Sequence, residues 1–339
     1  MKCFVTGATG HIGNVLLRDL FASGHEVTAL VLPKDNHKMI DPYCRIVFGN
    51  ILDYRFLSEN IKGHDIVFHL AGIVEIGSGK KKLLYQVNVQ GTKNVVQACL
   101  ENKVRRLVYT SSVHAIPELK KGTTMKEVDK FDPKLVKGHY AKTKAIATDY
   151  VLGHRGQGLE IVVVHPSGVI GPYDYQLSNV SQLFIDFLMG RLTAYLKGGY
   201  NFVDVRDVAK GIRLAGEKGR DGECYILSGH EITVKELLDL IADHTGRKRI
   251  RTKLAYWFIL AMSYFAELYY LTIKQKPLFT HYSVVVLNSN RSFSNQKAKR
   301  ELGFTTRPMA ESVKDALAFS REYYLEKKNG KYKRKLQVD

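Results

Sequence analysis

The chain of 339 residues holds only four cysteines, Cys3, Cys44, Cys99 and Cys224, and no two of them form a CxxC pair. That scarcity excludes a disulfide framework, gives no support to a zinc site, and fits a reducing cytoplasm. The start Met-Lys-Cys-Phe-Val leads straight into a strand and a glycine turn, leaving no apolar core for a signal peptide, so secretion is not expected. Neither an internal repeat nor a low-complexity linker is present. Acids are under-represented: Asp+Glu 33 against Lys+Arg 51 leaves a net charge of +18. The excess brings nucleic acid, an anionic membrane and an anionic cofactor into consideration as partners. Much of it is local, since six of the nine residues from Lys327 to Lys335 are basic and a second basic run occupies Arg247 to Lys253. The end, residues 326–339, is read as a solvated basic tail, and no nucleic-acid partner is expected. A long clean apolar run is also missing. The nearest approach is Leu254–Ile273, whose only charge is Glu267 but which Tyr256, Ser263, Tyr269 and Tyr270 also interrupt. A spanning helix needs about 20 predominantly apolar residues, so length alone permits one. The segment is read as a lobe helix over a substrate pocket, with a helix lying in a membrane interface as the alternative, which leaves peripheral membrane contact open.

What is present is a regular alternation of short apolar runs with amphipathic stretches, the βαβα pattern of a parallel sheet covered by helices on both faces. Strands are expected at Lys2–Thr6, Glu26–Leu32, Arg45–Gly49, Ile66–Leu70, Arg106–Ser111 and Glu160–His165, with helices near Ile12–Ser23, Leu83–Asn102 and His139–Gly153. Ile66-Val67-Phe68 and Ile161-Val162-Val163-Val164 read as the continuous apolar runs of strands buried on both faces. The fold class is therefore α/β: a Rossmann-type doubly wound parallel sheet with a smaller C-terminal substrate lobe. Residues 1–170 are assigned to the dinucleotide-binding part, with some later segments returning to it, and 171–325 mainly to the lobe, where the alternation weakens. Such a lobe would close over the carboxyl ends of the strands, where ligands bind in open α/β sheets.

Gly7, Gly10 and Gly13 stand at GxxGxxG spacing between the first apolar strand and the first helical pattern. Side chains there would block the tight turn, the approach of a pyrophosphate, or helix–strand packing. The helix N-terminus adds backbone N–H groups and the positive end of a dipole. Gly7, Thr9, Gly10, His11, Ile12 and Gly13 are thus candidate cofactor ligands. The end of the second strand should choose between NAD and NADP. It offers Leu32 and Lys34 rather than an acid, with His37 and Lys38 close by. This tilts the reading to NADP, with NAD as the alternative and Asp35 as the residue able to reverse it.

Tyr140 and Lys144 lie at i, i+4 on an expected helix, one turn apart on one face. Ser111-Ser112 ends a strand aimed at the same cleft. Carbonyl reduction needs a proton donor at the forming alkoxide, and a tyrosine whose ordinary pKa is about 10 serves only if its phenolate is stabilised. A neighbouring ammonium does that. Ser112, Tyr140 and Lys144 are the candidate catalytic residues.

With these pieces in place, the sequence resembles the extended short-chain dehydrogenase/reductase family over nearly all of its length. The matching pieces are Thr6–Gly13, His69-Leu70-Ala71-Gly72, Asn88 within Val87–Thr92, Tyr109–Ser112, Tyr140-x-x-x-Lys144, His165–Pro172 and Asn201–Ala209. The resemblance implies that Tyr140 is the acid/base, that Lys144 also binds the nicotinamide ribose, and that Ser112 rather than Ser111 orients the carbonyl. It further implies that Ile51, Leu52 and Asp53 lie beside the adenine, that Ala71 and Gly72 lie against the cofactor, and that Pro166 and Val169 line the nicotinamide site. A homodimer through paired helices is implied in the same way. Two positions depart from the family's pattern: Asn50 where Asp is usual, and Ala147-Thr148 where Ala-Glu commonly follows the lysine.

Within the family, a sugar dehydratase would carry an Asp-Glu pair after the catalytic hydroxyl, where this chain has Val113-His114. An epimerase usually has an asparagine in the segment corresponding to Pro166-Ser167-Gly168, to grip a nucleotide diphosphate. A cofactor-sensing protein would lack Tyr140 or Lys144. What remains resembles the dihydroflavonol-reductase and 3β-hydroxysteroid-dehydrogenase branch, as does the run Arg291–Phe304. The expected function is hydride transfer between a nicotinamide and a ketone or secondary alcohol of a mostly apolar small molecule, steroid-like or flavonoid-like. A sugar-nucleotide epimerase and an idle cofactor sensor are the alternatives. No metal site is expected. His114 is read as a loop histidine, His69 as a satisfied core histidine, and Asp204, Arg206 and Asp207 as a polar structural cluster. The expected location is the cytoplasm, with membrane association left open.

Overall fold

The structure, a computed structural model, describes residues 1–74, 81–257, 259–260 and 281–327. The expectations for Leu254–Ile273 and for the basic tail fall for the most part outside these residues. Six strands of the first half, β1 (Lys2–Thr6), β2 (Glu26–Val31), β3 (Arg45–Phe48), β4 (Ile66–His69), β5 (Arg106–Thr110) and β6 (Glu160–Pro166), lie within one residue of their expected ends. The lobe strands are β7 (Gly168–Ile170), β8 (Ala194–Leu196), β9 (Gly199–Asp204), β10 (Glu223–Leu227), β11 (His230–Thr233) and β12 (Thr252–Leu254).

The main sheet has seven strands in the order β10-β6-β5-β4-β1-β2-β3, every pairing parallel. Its inner strands are mostly apolar because both faces are covered. Alternate residues point to opposite faces. Val5, Phe68, Val108, Val162 and Val164 pack on the side of α1 (His11–Ala22) and, from the lobe half of the chain, α7 (Val205–Lys218). Phe4, Val67, Leu107, Ile161 and Val163 pack on the side of α2 (Tyr54–Ile61), α4 (Thr92–Glu101) and α5 (His139–Leu152). The strand order turns back between β1 and β4, which opens a crevice at the carboxyl ends of these strands.

One expected element is remodelled. The helix anticipated from Leu83 to Asn102 is divided into α3 (Lys81–Tyr85), a π-helical turn at Gln86–Gly91 and α4. The wider turn carries Asn88, buried, into contact with the loop after β4. At its end Gly91 leaves room for Ile51, since a Cβ there would stand 2.4 Å from Cδ1 of Ile51 and push that side chain aside.

Beyond residue 171 the chain is divided among three sheets. β10 returns to the main sheet, β11-β9-β7 make a second sheet, and β12-β8 a third. A separate core joins α6 (Asn179–Leu188), α8 (Val234–Thr245) and the helix Met309–Ser320 through Phe184, Phe187, Leu238, Ile241, Val313 and Leu317. The Asp204–Arg206–Asp207 cluster has a structural task. Asp204 caps α7, Arg206 donates to Asp204 and Asp315, and Arg307 pairs with Asp207, so α7 is tied to the C-terminal helix. Only one residue, Ser167, separates β6 from β7, so the lobe sheet starts directly at the crevice.

Candidate active site

The phosphate turn joins β1 to α1. Gly7 adopts φ +72°, and a Cβ on it would stand 2.6 Å from the backbone N of Ala71. A Cβ at Gly13 would approach the carbonyl oxygen of Gly7 to 2.1 Å, whereas one at Gly10 would meet only that oxygen, at 3.2 Å. Two of the glycines therefore close the turn onto β4 and α1, and Gly10 is the least crowded of the three. No side chain caps α1. Its first N–H groups and dipole are placed as a pyrophosphate needs them, so the residues present fit a dinucleotide. His11 turns its ring to the Pro172 carbonyl, and Gln176 donates to the carbonyl of Thr9, so the segment after β7 lies over the turn. Thr9 donates to the Asp35 carboxylate at 2.7 Å. Leu32 and Lys34 are exposed, and His37 is paired with Asp41.

Along the crevice, the loop after β4 carries Ala71, whose N–H is bonded to Thr6 Oγ1, and Gly72, which faces Asn88 and the Lys144 ammonium. Asn88 holds both backbone groups of Ile73 and donates to Thr143 Oγ1. His69 is fully buried between Thr6 and Thr92, both ring nitrogens partnered, and burial pushes it down to about 3, so it is a neutral core residue. Ile51 is buried against Gly91, and Asn94 holds the carbonyls of Ile51 and Leu52. One oxygen of Asp53 is already engaged, capping α2 through the N–H of Phe56. Pro166 pairs with Leu227 and Val169 with Val203, where the main sheet hands over to the lobe.

Ser112, Tyr140 and Lys144 are all buried where these parts meet. The two serines after β5 diverge. Ser111 is bonded to Thr148 Oγ1 at 2.7 Å, while the Ser112 hydroxyl accepts from the N–H of His114 and faces the Tyr140 phenol. Lys144 donates to the Thr110 carbonyl at 2.9 Å and to the Tyr109 hydroxyl at 3.4 Å. Burial pushes the ammonium down from 10.5 to about 8. The Tyr140 phenol is pushed up by burial, and the Ser112 hydroxyl opposes that shift. His165, at the end of β6, bonds through Nδ1 to the Ser112 carbonyl and stacks on Phe131.

Three residues gain significance from the structure. His114, read from sequence as an ordinary loop residue, packs edge-on to Tyr140 with ring centroids 6.1 Å apart and bonds through Nε2 to the Tyr200 hydroxyl at 2.8 Å. Tyr200 carried no recognisable signal, since it is an aromatic in a strand pattern that explains it without chemistry, and Tyr109 entered only as part of the Tyr109–Ser112 strand end with no role of its own. His114 and Tyr200 line a pocket together with the apolar Val113, Ile116, Met125, Val136, Val285 and Phe293 and the polar Glu118, Lys137, Ser289 and Asn290.

Residues 3–228 match the family described as NAD dependent epimerase/dehydratase family. The chain is 30% identical over 327 residues to sterol demethylase protein B of Methylococcus capsulatus, covering 95% of this chain and 99% of that protein. It is 28% identical to the human sterol-4-alpha-carboxylate 3-dehydrogenase, decarboxylating, over 89% of this chain and 83% of that one. The crystal structure of gox2253 superposes with a TM-score of 0.83 at 31% identity, covering 95% of this chain and 98% of the other. The chain belongs to the NAD dependent epimerase/dehydratase family, among the extended short-chain dehydrogenases/reductases, and is an NAD(P)-dependent oxidoreductase.

Proposed function

We propose that the protein moves a hydride between NAD(H) and a secondary alcohol or ketone of a steroid-like molecule, with Tyr140 as acid/base. The observation that carries this reading is the burial of Ser112, Tyr140 and Lys144 together, next in sequence and space to Val113 and His114, which open a pocket lined by Ile116, Met125, Val136, Val285, Val286 and Phe293 with Glu118, Lys137, Ser289 and Asn290 among them. The names of the sterol-modifying relatives support it. Transfer of apolar surface into such a pocket contributes roughly 25 cal/mol per Å².

The glycine turn, the N-terminus of α1, Ala71, Gly72 and Lys144 are the residues that would hold the dinucleotide, whose nicotinamide accepts or donates the hydride when bound. Ser112 donates a hydrogen bond to the carbinol oxygen. Tyr140 takes the hydroxyl proton in oxidation and returns it in reduction. Because burial works against its phenolate, the anion depends on the Lys144 ammonium one turn along α5, whose field is little screened there. Oxidation of the alcohol therefore gains with rising pH only while Lys144 keeps its charge, up to about 8, and reduction keeps its acid across the neutral range.

For the cofactor, the structure weighs against the tilt to NADP. His37 is committed to Asp41, and the Asp35 carboxylate stands on the phosphate turn at Thr9. An acid at the mouth of the adenosine site accepts from ribose hydroxyls and repels a 2′-phosphate, so NAD is the preferred form in this proposal. Among the described residues the pocket's lining carries a single ammonium, Lys137, rather than a cluster of cationic donors, which disfavours a nucleotide sugar. Incubating the purified chain with NAD and a panel of 3β-hydroxysteroids, with UDP-glucose in parallel, tests the reading. NADH formation from the steroids is expected. Epimerised UDP-glucose without NADH from any steroid would overturn it.

A further inference from the structure

Lys144 is a buried cation with no carboxylate as ion-pair partner among the described residues. Burying an ammonium is costly unless a counter-charge or a set of acceptors receives it. Here the acceptors are neutral, the Thr110 carbonyl at 2.9 Å and the Tyr109 hydroxyl at 3.4 Å. The Tyr109 ring is also near, its centroid 5.0 Å from Nζ. The other titratable groups in the field of the ammonium are Tyr140 on α5, His69 on β4 and His165 on β6, and burial holds both imidazoles neutral, at about 3 and about 4. Tyr109 can offer Lys144 a lone pair only if its own proton goes elsewhere. Thr92 Oγ1 lies against the Tyr109 hydroxyl, and Thr92 donates its proton to the Asn88 carbonyl at 2.8 Å. Tyr109 therefore donates to Thr92 and accepts from Lys144. For the same reason His69 donates to Thr92 through Nε2 and accepts from Thr6 Oγ1 at Nδ1, while Thr6 accepts from the N–H of Ala71. A buried chain of hydrogen bonds with one direction at each link thus runs between Lys144 and the residue that precedes the phosphate turn.

Resting on the reading of Lys144 as the partner of the Tyr140 phenolate, we propose that Tyr109 is a positioning residue for the Lys144 ammonium, standing in for a carboxylate with a hydroxyl whose lone pair is aimed by Thr92. The oriented hydroxyl stabilises the cation and leaves its charge unneutralised. The field of Lys144 then acts undiminished on Tyr140, whereas a carboxylate in the same place would form an ion pair whose net effect on the phenolate largely cancels. The placement follows from the fold. Thr92 is the first residue of α4, directly after the π-helical turn at Gln86–Gly91. Asn88 of that turn supplies the carbonyl that takes the Thr92 proton, and its side-chain amide donates to Thr143, whose hydroxyl donates to the Tyr140 carbonyl. The widened turn thereby orients Tyr109 on one side and holds the first turn of α5 on the other. Without the Tyr109 hydroxyl the charged form of Lys144 loses an acceptor while its burial is unchanged, so the lysine gives up its proton at lower pH.

The test uses the full chain, with Tyr109→Phe, Thr92→Val and Thr92→Ser beside wild type. The ionisation of Lys144 is followed by carbon-13 NMR of lysine-labelled protein, its signal identified by its absence from Lys144→Met. The pH profile of NADH formation from NAD and a 3β-hydroxysteroid is recorded in parallel. Wild type is expected to titrate near 8. Tyr109→Phe is expected to lower that midpoint by about one pH unit, to bring down by as much the pH at which oxidation stops gaining, and to reduce kcat more than it changes KM. Thr92→Val, which frees the Tyr109 proton to turn toward the ammonium, moves the midpoint in the same direction, and Thr92→Ser restores it. A role in packing alone lowers melting temperature and turnover but leaves the midpoint within about 0.3 pH units of wild type. That result in Tyr109→Phe, or in Thr92→Val should the first variant not fold, would overturn the proposal. The two readings separate: a midpoint that falls in the variants supports the positioning of Lys144 even if no steroid yields NADH, an outcome that would overturn the oxidoreductase reading alone.

Discussion

At the residue scale, the chemistry turns on how burial sets protonation. Lys144 is held at about 8, well below its ordinary 10.5, because its charge is desolvated. For a base with a depressed folded pKa, the unfolded chain binds more protons between the two values. The folded state is therefore penalised below about 8, and the penalty is relieved as pH rises toward 10.5. In urea unfolding, wild type is expected to gain stability relative to Lys144→Met across that window, while the variant loses turnover. A constant difference between the two from pH 7 to 10.5 would contradict the assigned cause. Asp35 is the second residue to test. Asp35→Ala is expected to raise the NADP-to-NAD ratio of kcat/KM by about tenfold or more, because a like charge is removed from the 2′-phosphate position. Ser112, Tyr140 and Lys144, which the fold buries together, were singled out in the sequence because their spacing and order are distinctive. Asp35 was visible only as a residue able to reverse the NADP reading, since its bond to Thr9 depends on how the loop after β2 folds back. His114 was undervalued because its partner lies 86 positions away.

Among the elements, six of the seven parallel strands of the main sheet were read to within a residue because their runs are largely apolar, while β10, which returns to the sheet from residues 223–227, was not expected. The π-helical turn at Gln86–Gly91 was not legible. A single widened turn changes neither composition nor overall periodicity, yet it is what brings Asn88 to Ile73 and Thr143. The phosphate turn separates two functions of glycine. Gly13→Ala places a methyl group against the Gly7 carbonyl and is expected to lower stability by about 1–3 kcal/mol as well as weaken NAD binding. Gly10→Ala meets only the Gly7 carbonyl oxygen, at 3.2 Å, so the melting temperature should fall less than for Gly13→Ala while NAD affinity falls. Thermal unfolding and NAD titration of both variants check this. Equal stability losses would refute the division.

For the whole molecule, the sheet supplies one wall of the site and the lobe the other, and the second wall was the part hardest to read. β7, β9 and β11 are short, pair across long stretches of chain, and mix parallel with antiparallel contacts. Their register places Tyr200 over Gly168, which no local pattern announces. What holds the lobe together is polar as well as apolar. Asp207 is almost fully buried and receives both the N–H and the side chain of Arg307. Arg307→Ala leaves that carboxylate without its cation and is expected to lower unfolding free energy by about 3 kcal/mol, with NAD affinity unchanged because the phosphate turn lies elsewhere. Chemical denaturation alongside cofactor titration measures both. The most direct measurement on the molecule as a catalyst compares wild type with Tyr140→Phe for NAD binding and for NADH formation from a 3β-hydroxysteroid. Retained NAD affinity with turnover reduced about 10²-fold or more is the expected result. Turnover in the variant equal to wild type would contradict the role of Tyr140 as acid/base.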